Sequence, residues 1–253
     1  MSRMLDREII KAYFPEAGWL LAAEEINSTN TVAKELAAQG APEGTLVIAE
    51  RQTGGRGRLG REFQSPEGGI YMSIIMRPQG TLEQCAMLTM AACVGVCRAM
   101  EKRLDISPGI KWVNDIYYKG KKVCGILAEG AAAGDRLKYA VIGVGINYQS
   151  PEFQGGLANR AGSLYPDMEP PIPLSAMAGA AASEVYRACR DFQTDTVYAE
   201  YRNKSLLIGK AVALSDGRQG QALDVTREGR LLVNIAGETV ELNSGEVSAF
   251  WAL

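Results

Sequence analysis

The chain of 253 residues contains no histidine, so the imidazole bases that activate serine or cysteine nucleophiles are missing and such machinery is excluded. Its five cysteines (Cys85, Cys93, Cys97, Cys124, Cys189) form no CxxC pair. Without imidazole to complete a metal site, they read as packed thiols of a reducing compartment. An excess of one charge is also absent: 27 basic residues face 29 acidic ones, a net charge of -2, which leaves no global field to hold nucleic acid. The longest weakly polar stretch, residues 85–97, is short of the roughly 20 residues that span a bilayer. Charges interrupt the N-terminal MSRMLDREIIKAYF, which argues against an export signal. A cytoplasmic protein with no membrane segment is the expectation. Repeats and low-complexity tracts are lacking as well. What is present, 47% hydrophobic and 22% charged residues, is ordinary for a soluble globular chain.

Two compositions follow one another. Up to about residue 201, helical and strand patterns alternate. Ser28-Thr29-Asn30 precedes a helical stretch at 32–38 that ends at Gly40, as an N-cap and a C-terminal glycine would. Plain capping accounts for one of those three polar residues. Strands are expected at 45–50 and 70–76, then a helix at 82–102 opened by a capping box of Thr81 and Gln84. Strands at 109–118 and 123–129 are joined through the turn Lys119-Gly120-Lys121. A strand at 139–144 and helices at 174–189 and 196–201 complete the larger part. Hairpins mixed with helices favour an α+β fold over a doubly wound parallel sheet.

From residue 206 the pattern becomes short strands at 211–214, 221–225, 231–235 and 239–242. They are split by Asp216-Gly217, Glu228-Gly229 and Ala236-Gly237, the spacing of a small closed or nearly closed β-barrel. The expected domains are therefore 1–205 and 206–253. The basic residues of the tail, Lys210, Arg218, Arg227 and Arg230, are outnumbered by its acidic ones, so a nucleic-acid role for it is disfavoured.

The most informative segment is ERQTGGRGRLGR at 50–61, where four glycines and four arginines share twelve positions. Such a loop can fold its backbone around a polyanion and neutralise it from several directions. Gly55, Gly57 and Gly60 have GxGxxG spacing, but a dinucleotide fingerprint must open a helix, and this chain runs through Ser65-Pro66-Glu67-Gly68-Gly69 into another strand. No GK[ST] ending supports a P-loop. A single short copy makes RGG-type RNA binding weak, and a bland solvated loop leaves the clustered arginines unexplained. Further on, Lys111-Trp112-Val113-Asn114-Asp115 places charge between apolar Ile110 and Ile116. A buried Lys-Asp pair is one reading of it.

Taken in order, STN, GRGRLGR, KWVNDI, KKVCGILAE and GVGINY across residues 28–148 resemble the biotin protein ligases (biotin–acetyl-CoA-carboxylase ligases). Gly245-Glu246-Val247-Ser248 is similar to that family's C-terminal domain. The resemblance implies a mixed-sheet catalytic domain of the biotin/lipoate ligase type followed by a small SH3-like β-barrel. It implies a reaction of biotin with ATP and Mg2+ to biotinyl-5'-AMP, then transfer to a lysine of a biotin carboxyl carrier protein. Carried over by position, Lys122 and Arg56 stand beside the reacting carboxylate and α-phosphate. Ser28, Thr29, Asn30, Gln52, Gly55, Arg56, Lys122, Gly125, Gly143 and Gly145 hold biotin, with the glycines letting backbone approach the ring. Arg58, Arg61, Phe63, Asn114, Lys122 and Asn147 hold ATP. No metal ligands are identified.

An acceptor lysine with a reference pKa near 10.4 needs a group to orient or deprotonate it. Asp115, a strand-borne carboxylate, is assigned that role. The arginine loop is expected to be mobile without ligand and to close over the adenylate. Only 27 residues precede Ser28, too few for a DNA-binding domain, so a monofunctional ligase is expected, and a homodimer is possible as in other members. Val113 replaces the usual proline, Phe63 stands where many members have tryptophan, and Phe250 stands where some place arginine. A lipoate or octanoate ligase or transferase and a non-catalytic biotinyl-AMP sensor are the rivals. The complete loop together with KWxND favours biotin, and the sensor reading lacks an output domain.

Overall fold

The computed structural model describes residues 5–81, 84–151, 153, 156, 158–243 and 247–249, with the backbone alone for Cys85, Ala133, Ser248 and Ala249. The larger part is built on a seven-stranded sheet in the order β1-β2-β3-β7-β6-β5-β4. Its strands are β1 (Leu20–Ile26), β2 (Leu46–Gln52), β3 (Ile70–Met76), β4 (Gly109–Lys111), β5 (Asp115–Tyr118), β6 (Lys121–Ala133) and β7 (Arg136–Ile146). β1 and β2 run parallel, and every other neighbouring pair is antiparallel. The mixed α+β architecture matches the expectation.

The period-2 alternation of the strands divides the sheet into two faces. Leu46 and Ile48 of β2, Ile70, Met72, Ile74 and Met76 of β3, and Ala140, Ile142, Val144 and Ile146 of β7 point into the main core. There they meet α3 (Cys85–Leu104), α4 (Leu174–Arg190) and α1 (Arg7–Tyr13). Each fully buried aliphatic side chain there contributes roughly 1.5–3 kcal/mol. On the other face, Val47, Ile75 and Val141 pack with Ala33 and Ala37 of α2 (Thr29–Ala38). α2 is short and covers only part of that face.

Several expected elements occur with shifted ends, and one differs in kind. α1, N-capped by the Asp6 side chain, and β1 were not anticipated. Residues 109–118 form no continuous strand: β4 and β5 pair as a hairpin with Lys111 opposite Asp115, and Trp112, Val113 and Asn114 make its turn. Within that turn the Trp112-Val113 peptide is cis. The turn between β5 and β6 is as expected, with positive φ at Lys119 and Gly120. Of the capping box expected at α3, Thr81 N–H does donate to Gln84 Oε1 at 2.9 Å, but the N-cap residue of α3 is Gln84, which makes no side-chain capping bond. Leu82, the expected first residue of that helix, lies outside the described residues.

The tail forms a five-stranded antiparallel sheet in the order β11-β10-β9-β8-β12, consistent with an SH3-like module. Its strands are β8 (Ala211–Leu214), β9 (Gln219–Val225), β10 (Leu231–Ile235), β11 (Glu238–Leu242) and β12 (Val247–Ala249). Val212, Ala222, Val225, Leu231, Val233 and Val247 join the same buried cluster as the main core. The sheet is also fastened to α5 (Asp195–Asn203), where Tyr198 Oη donates to Val225 O at 2.7 Å. No helix among the described residues is long and apolar enough to cross a membrane.

Candidate active site

On the α2 face, register aligns one row of residues across four strand pairs: Tyr71 opposite Gly145, Gly145 opposite Gly125, Gly125 opposite Asp115, and Asp115 opposite Lys111. A second row runs Ser73, Gly143, Leu127. The floor therefore has glycine at its centre and chemistry at its rims. Above it lies a cavity of about 370 Å³, a size suited to a small-molecule ligand. Of the expected site residues, all but Gly55 and Asn147 line this cavity.

One end is a buried hydrogen-bonding network at the start of α2. Thr29 donates its N–H and its hydroxyl to Gln52 Oε1 at 2.8 and 3.1 Å. Gln52 Nε2 donates to Ser65 Oγ at 2.9 Å, and that hydroxyl donates to Phe63 O at 3.0 Å. Ser73 Oγ lies 2.8 Å from Thr29 Oγ1 and 2.6 Å from Asn30 Oδ1. Asn30 Nδ2 donates to Glu129 Oε2 at 2.7 Å, and Lys34 Nζ pairs with the other Glu129 oxygen at 2.7 Å. Burial pushes the Glu129 carboxyl up, but the bonds from Lys34 and Asn30 outweigh it and hold the pKa below the usual value. Ser28 is the N-cap residue of α2 yet makes no side-chain capping bond, contrary to the capping explanation. Its buried hydroxyl lines the cavity instead.

The other end carries the cations. Residues 55–63 form a narrow hairpin: Phe63 N–H donates to Gly55 O at 2.9 Å, Arg56 bridges to Glu62, and Gly57 N–H donates to Arg61 O at 2.7 Å. The tip is a single 3-10 turn, Arg58–Gly60, where Leu59 is 76% exposed and has φ of 56°, a conformation glycine tolerates better. The loop opens no long helix and leads into β3, as the rejection of a dinucleotide fingerprint required. Arg58 Nη1 donates to Asn114 Oδ1 at 3.2 Å. Lys122 Nζ stands 2.6 Å from Asp115 Oδ1, so the strand-borne carboxylate and this lysine form an ion pair in the cavity wall.

The glycines of the floor leave room for side chains of the protein itself. A Cβ on Gly143 would lie 2.1 Å from Asn30 Oδ1, one on Gly145 would lie 2.5 Å from the Phe63 ring, and one on Gly125 would lie 3.0 Å from that ring. Phe63 thus rests on the floor, edge-on to Tyr71 at 6.3 Å. Gly55 has a steric role at the neck of the loop, where a Cβ would meet Phe63 O at 2.3 Å. Asn147 is buried behind the wall. Its Nδ2 donates to Gly162 O at 3.0 Å and its carbonyl accepts from Leu164 N–H, which fastens segment 160–165 beside Lys122.

Sequence reasoning missed several residues here. Ser73 was detectable as the lone polar side chain in the otherwise apolar IYMSIIM. Arg160, which lines the cavity from segment 160–165, sits in irregular chain and gave no signal. Val247 of β12 also reaches the wall. Gly245, Glu246 and Phe250 lie outside the described residues.

Comparison with known proteins follows the same lines. The model of the biotin/lipoate A/B protein ligase family matches residues 22–147. The biotin–[acetyl-CoA-carboxylase] ligase of Mycobacterium tuberculosis is 31% identical, covering 91% of this chain and 90% of that protein. The bifunctional ligase/repressor BirA of Bacillus spizizenii is 47% identical over 57% of this chain, and the match spans 46% of its own length. Among solved structures, the biotin protein ligase of Aquifex aeolicus in complex with biotin and ATP superposes with a TM-score of 0.72 at 28% identity, covering 91% of this chain and 98% of that one.

Proposed function

This chain belongs to the biotin protein ligase family, and we propose that it condenses biotin with ATP to biotinyl-5'-AMP, releasing pyrophosphate, and passes the biotinyl group to a lysine of a biotin carboxyl-carrier domain. The observation that carries the reading is one cavity joining a buried network of neutral hydrogen-bonding groups to a rim of Arg56, Arg58, Arg61 and Lys122. A bicyclic urea with an acid tail fits the first part, with Ser28, Thr29, Asn30 and Gln52 at its polar edge, and a triphosphate fits the second.

In the first step a carboxylate oxygen attacks the α-phosphorus and pyrophosphate leaves. Two anions must meet, so the task of the protein is screening and alignment. In this reading Arg56 and Lys122 neutralise the carboxylate and the α-phosphate, while Arg58 and Arg61, which line the same cavity, meet the remaining phosphates. Among the described residues no three His, Cys, Asp or Glu side chains cluster to hold a metal. In this reading magnesium enters with the nucleotide as part of the substrate. In the second step a lysine amine attacks the anhydride carbonyl and AMP leaves. In this reading Asp115, ion-paired with Lys122, orients the incoming ammonium and takes its proton.

The test is biotin-dependent exchange of pyrophosphate into ATP, run beside lipoate and octanoate, followed by mass measurement of an added carboxyl-carrier domain. Exchange with biotin alone and a mass gain of one biotinyl group are expected. Exchange with lipoate or octanoate but not biotin overturns the substrate, and exchange without mass gain overturns the transfer step.

A further inference from the structure

We propose that Tyr201 and Trp112 are positioning residues which hold the 112–114 turn so that Asn114 and Asp115 face the reacting groups. The inference rests on the ligase reading above and deepens it. The front of the turn faces the cavity: Asn114 Nδ2 donates to Ile126 O at 2.7 Å, Ile126 N–H returns a bond to Asn114 O at 3.0 Å, and Arg58 and Lys122 meet Asn114 and Asp115. The back of the turn faces the interior, where an unpaired carbonyl would be costly.

Three separate elements satisfy that back. Tyr201 of α5, fully buried, donates its hydroxyl to Val113 O at 3.0 Å. Cys93 of α3 directs its thiol at the same oxygen from 3.6 Å. Trp112 Nε1 donates to Gly229 O at 2.8 Å, and Gly229 belongs to the turn between β9 and β10 of the small sheet. That second turn is itself seated, since Gly229 has φ of 81° and a Cβ there would come within 3.1 Å of Met90 Sδ on α3. Fastened to α5, α3 and the small sheet, the Trp112 side chain and the Val113 carbonyl can neither slide nor tilt without breaking a buried hydrogen bond. A displacement of about 1 Å at reacting groups can cost up to about a hundredfold in rate.

Tyr201→Phe removes one hydroxyl and keeps the ring. The expected result in pyrophosphate exchange is a fall in kcat of about tenfold, with KM for biotin within about twofold of wild type, because the network at α2 is untouched. Trp112 also lines the cavity, so Trp112→Phe supports positioning only if kcat falls in the same way while KM for biotin and for ATP stays within about twofold of wild type. Tyr198→Phe is the control: it deletes a comparable bond from the same helix, to Val225 O, and should shift Tm by a similar amount with kcat unchanged. Wild-type kcat in Tyr201→Phe, or an equal fall in Tyr198→Phe, overturns the inference while the ligase reading stands. Should Tyr201→Phe fail to fold, Trp112→Phe and Cys93→Ala decide by the same criterion. A wild-type protein without biotin-dependent exchange overturns the ligase reading and this inference together.

Discussion

The two ends of the cavity are built on opposite principles. Around the start of α2, Thr29, Asn30, Gln52, Ser65 and Ser73 bond one another in a buried chain that ends in the Glu129–Lys34 pair. Every link is short-range, protein to protein, and set before any ligand arrives. At the far end the arginines ride on a hairpin three rungs long whose tip is exposed. An end that reads a neutral shape gains from rigidity, because an unsatisfied polar group there discriminates against the wrong ring. An end that gathers phosphates needs concentrated charge, and charge of one sign cannot be packed tightly until the anion is present.

The sharpest way to break this contrast is to remove charge from one end only. Arg56→Ala and Lys122→Met should each lower kcat for biotin-dependent exchange by about 10²- to 10³-fold, the order seen when one preorganised charge-stabilising donor is lost. Tm should move little, because neither side chain belongs to the core. A fall in Tm large enough to explain the lost activity would show that the cations are structural.

The converse substitution strikes the rigid end. Gly143→Ala places a methyl 2.1 Å from Asn30 Oδ1, and backbone on the central strand β7 leaves it nowhere to go. Thermal or urea denaturation should report destabilisation of about 1–3 kcal/mol, the usual cost of overpacking, with loss of biotin binding. Unchanged stability with weaker binding would mean that the Asn30 amide swings away freely and that the network is softer than its distances imply.

This contrast was only half visible in the sequence. The arginine loop, the KWVND turn and Lys122 were legible because charge crowded among glycines or apolar neighbours has few structural uses. The buried end was legible as single polar letters, Ser28, Thr29, Asn30 and Gln52, but not as a network, since Ser73, Ser65 and Glu129 come from three different elements and meet only through sheet register. The same limit explains the mistaken strand at 109–118. Its apolar flanks Ile110 and Ile116 do face one another across a ladder, but nothing local says that the chain reverses between them. β1 escaped notice because LLAAEEI shows no clean alternation, and as an edge strand it is buried only in part. Four strands of the tail, β8 to β11, were readable to within two residues, each being bounded by a turn glycine, whereas β12 was not anticipated.

The smallest expected effect separates charge at the rigid end from its geometry. Glu129 is held below the ordinary value of 4.5 by Lys34 and Asn30. A carboxyl with a depressed folded-state pKa contributes stability that is present above its unfolded value and is lost as pH falls through the folded one. Wild-type stability should therefore be insensitive to this group from neutrality down to about pH 4.5, then decline. Both side chains of the Lys34–Glu129 pair remain about a third exposed, so solvent screening limits its share to about 0.2–1 kcal/mol. Glu129→Gln keeps an acceptor for Asn30 and removes the charge. At neutral pH it should lower Tm slightly and leave biotin affinity nearly unchanged, and it should flatten the part of the acid limb due to this pair. Biotin affinity that falls tenfold in this variant would place the carboxylate itself, rather than the aligned amide of Asn30, in the reading of the ring, and the two ends of the cavity would then both depend on charge.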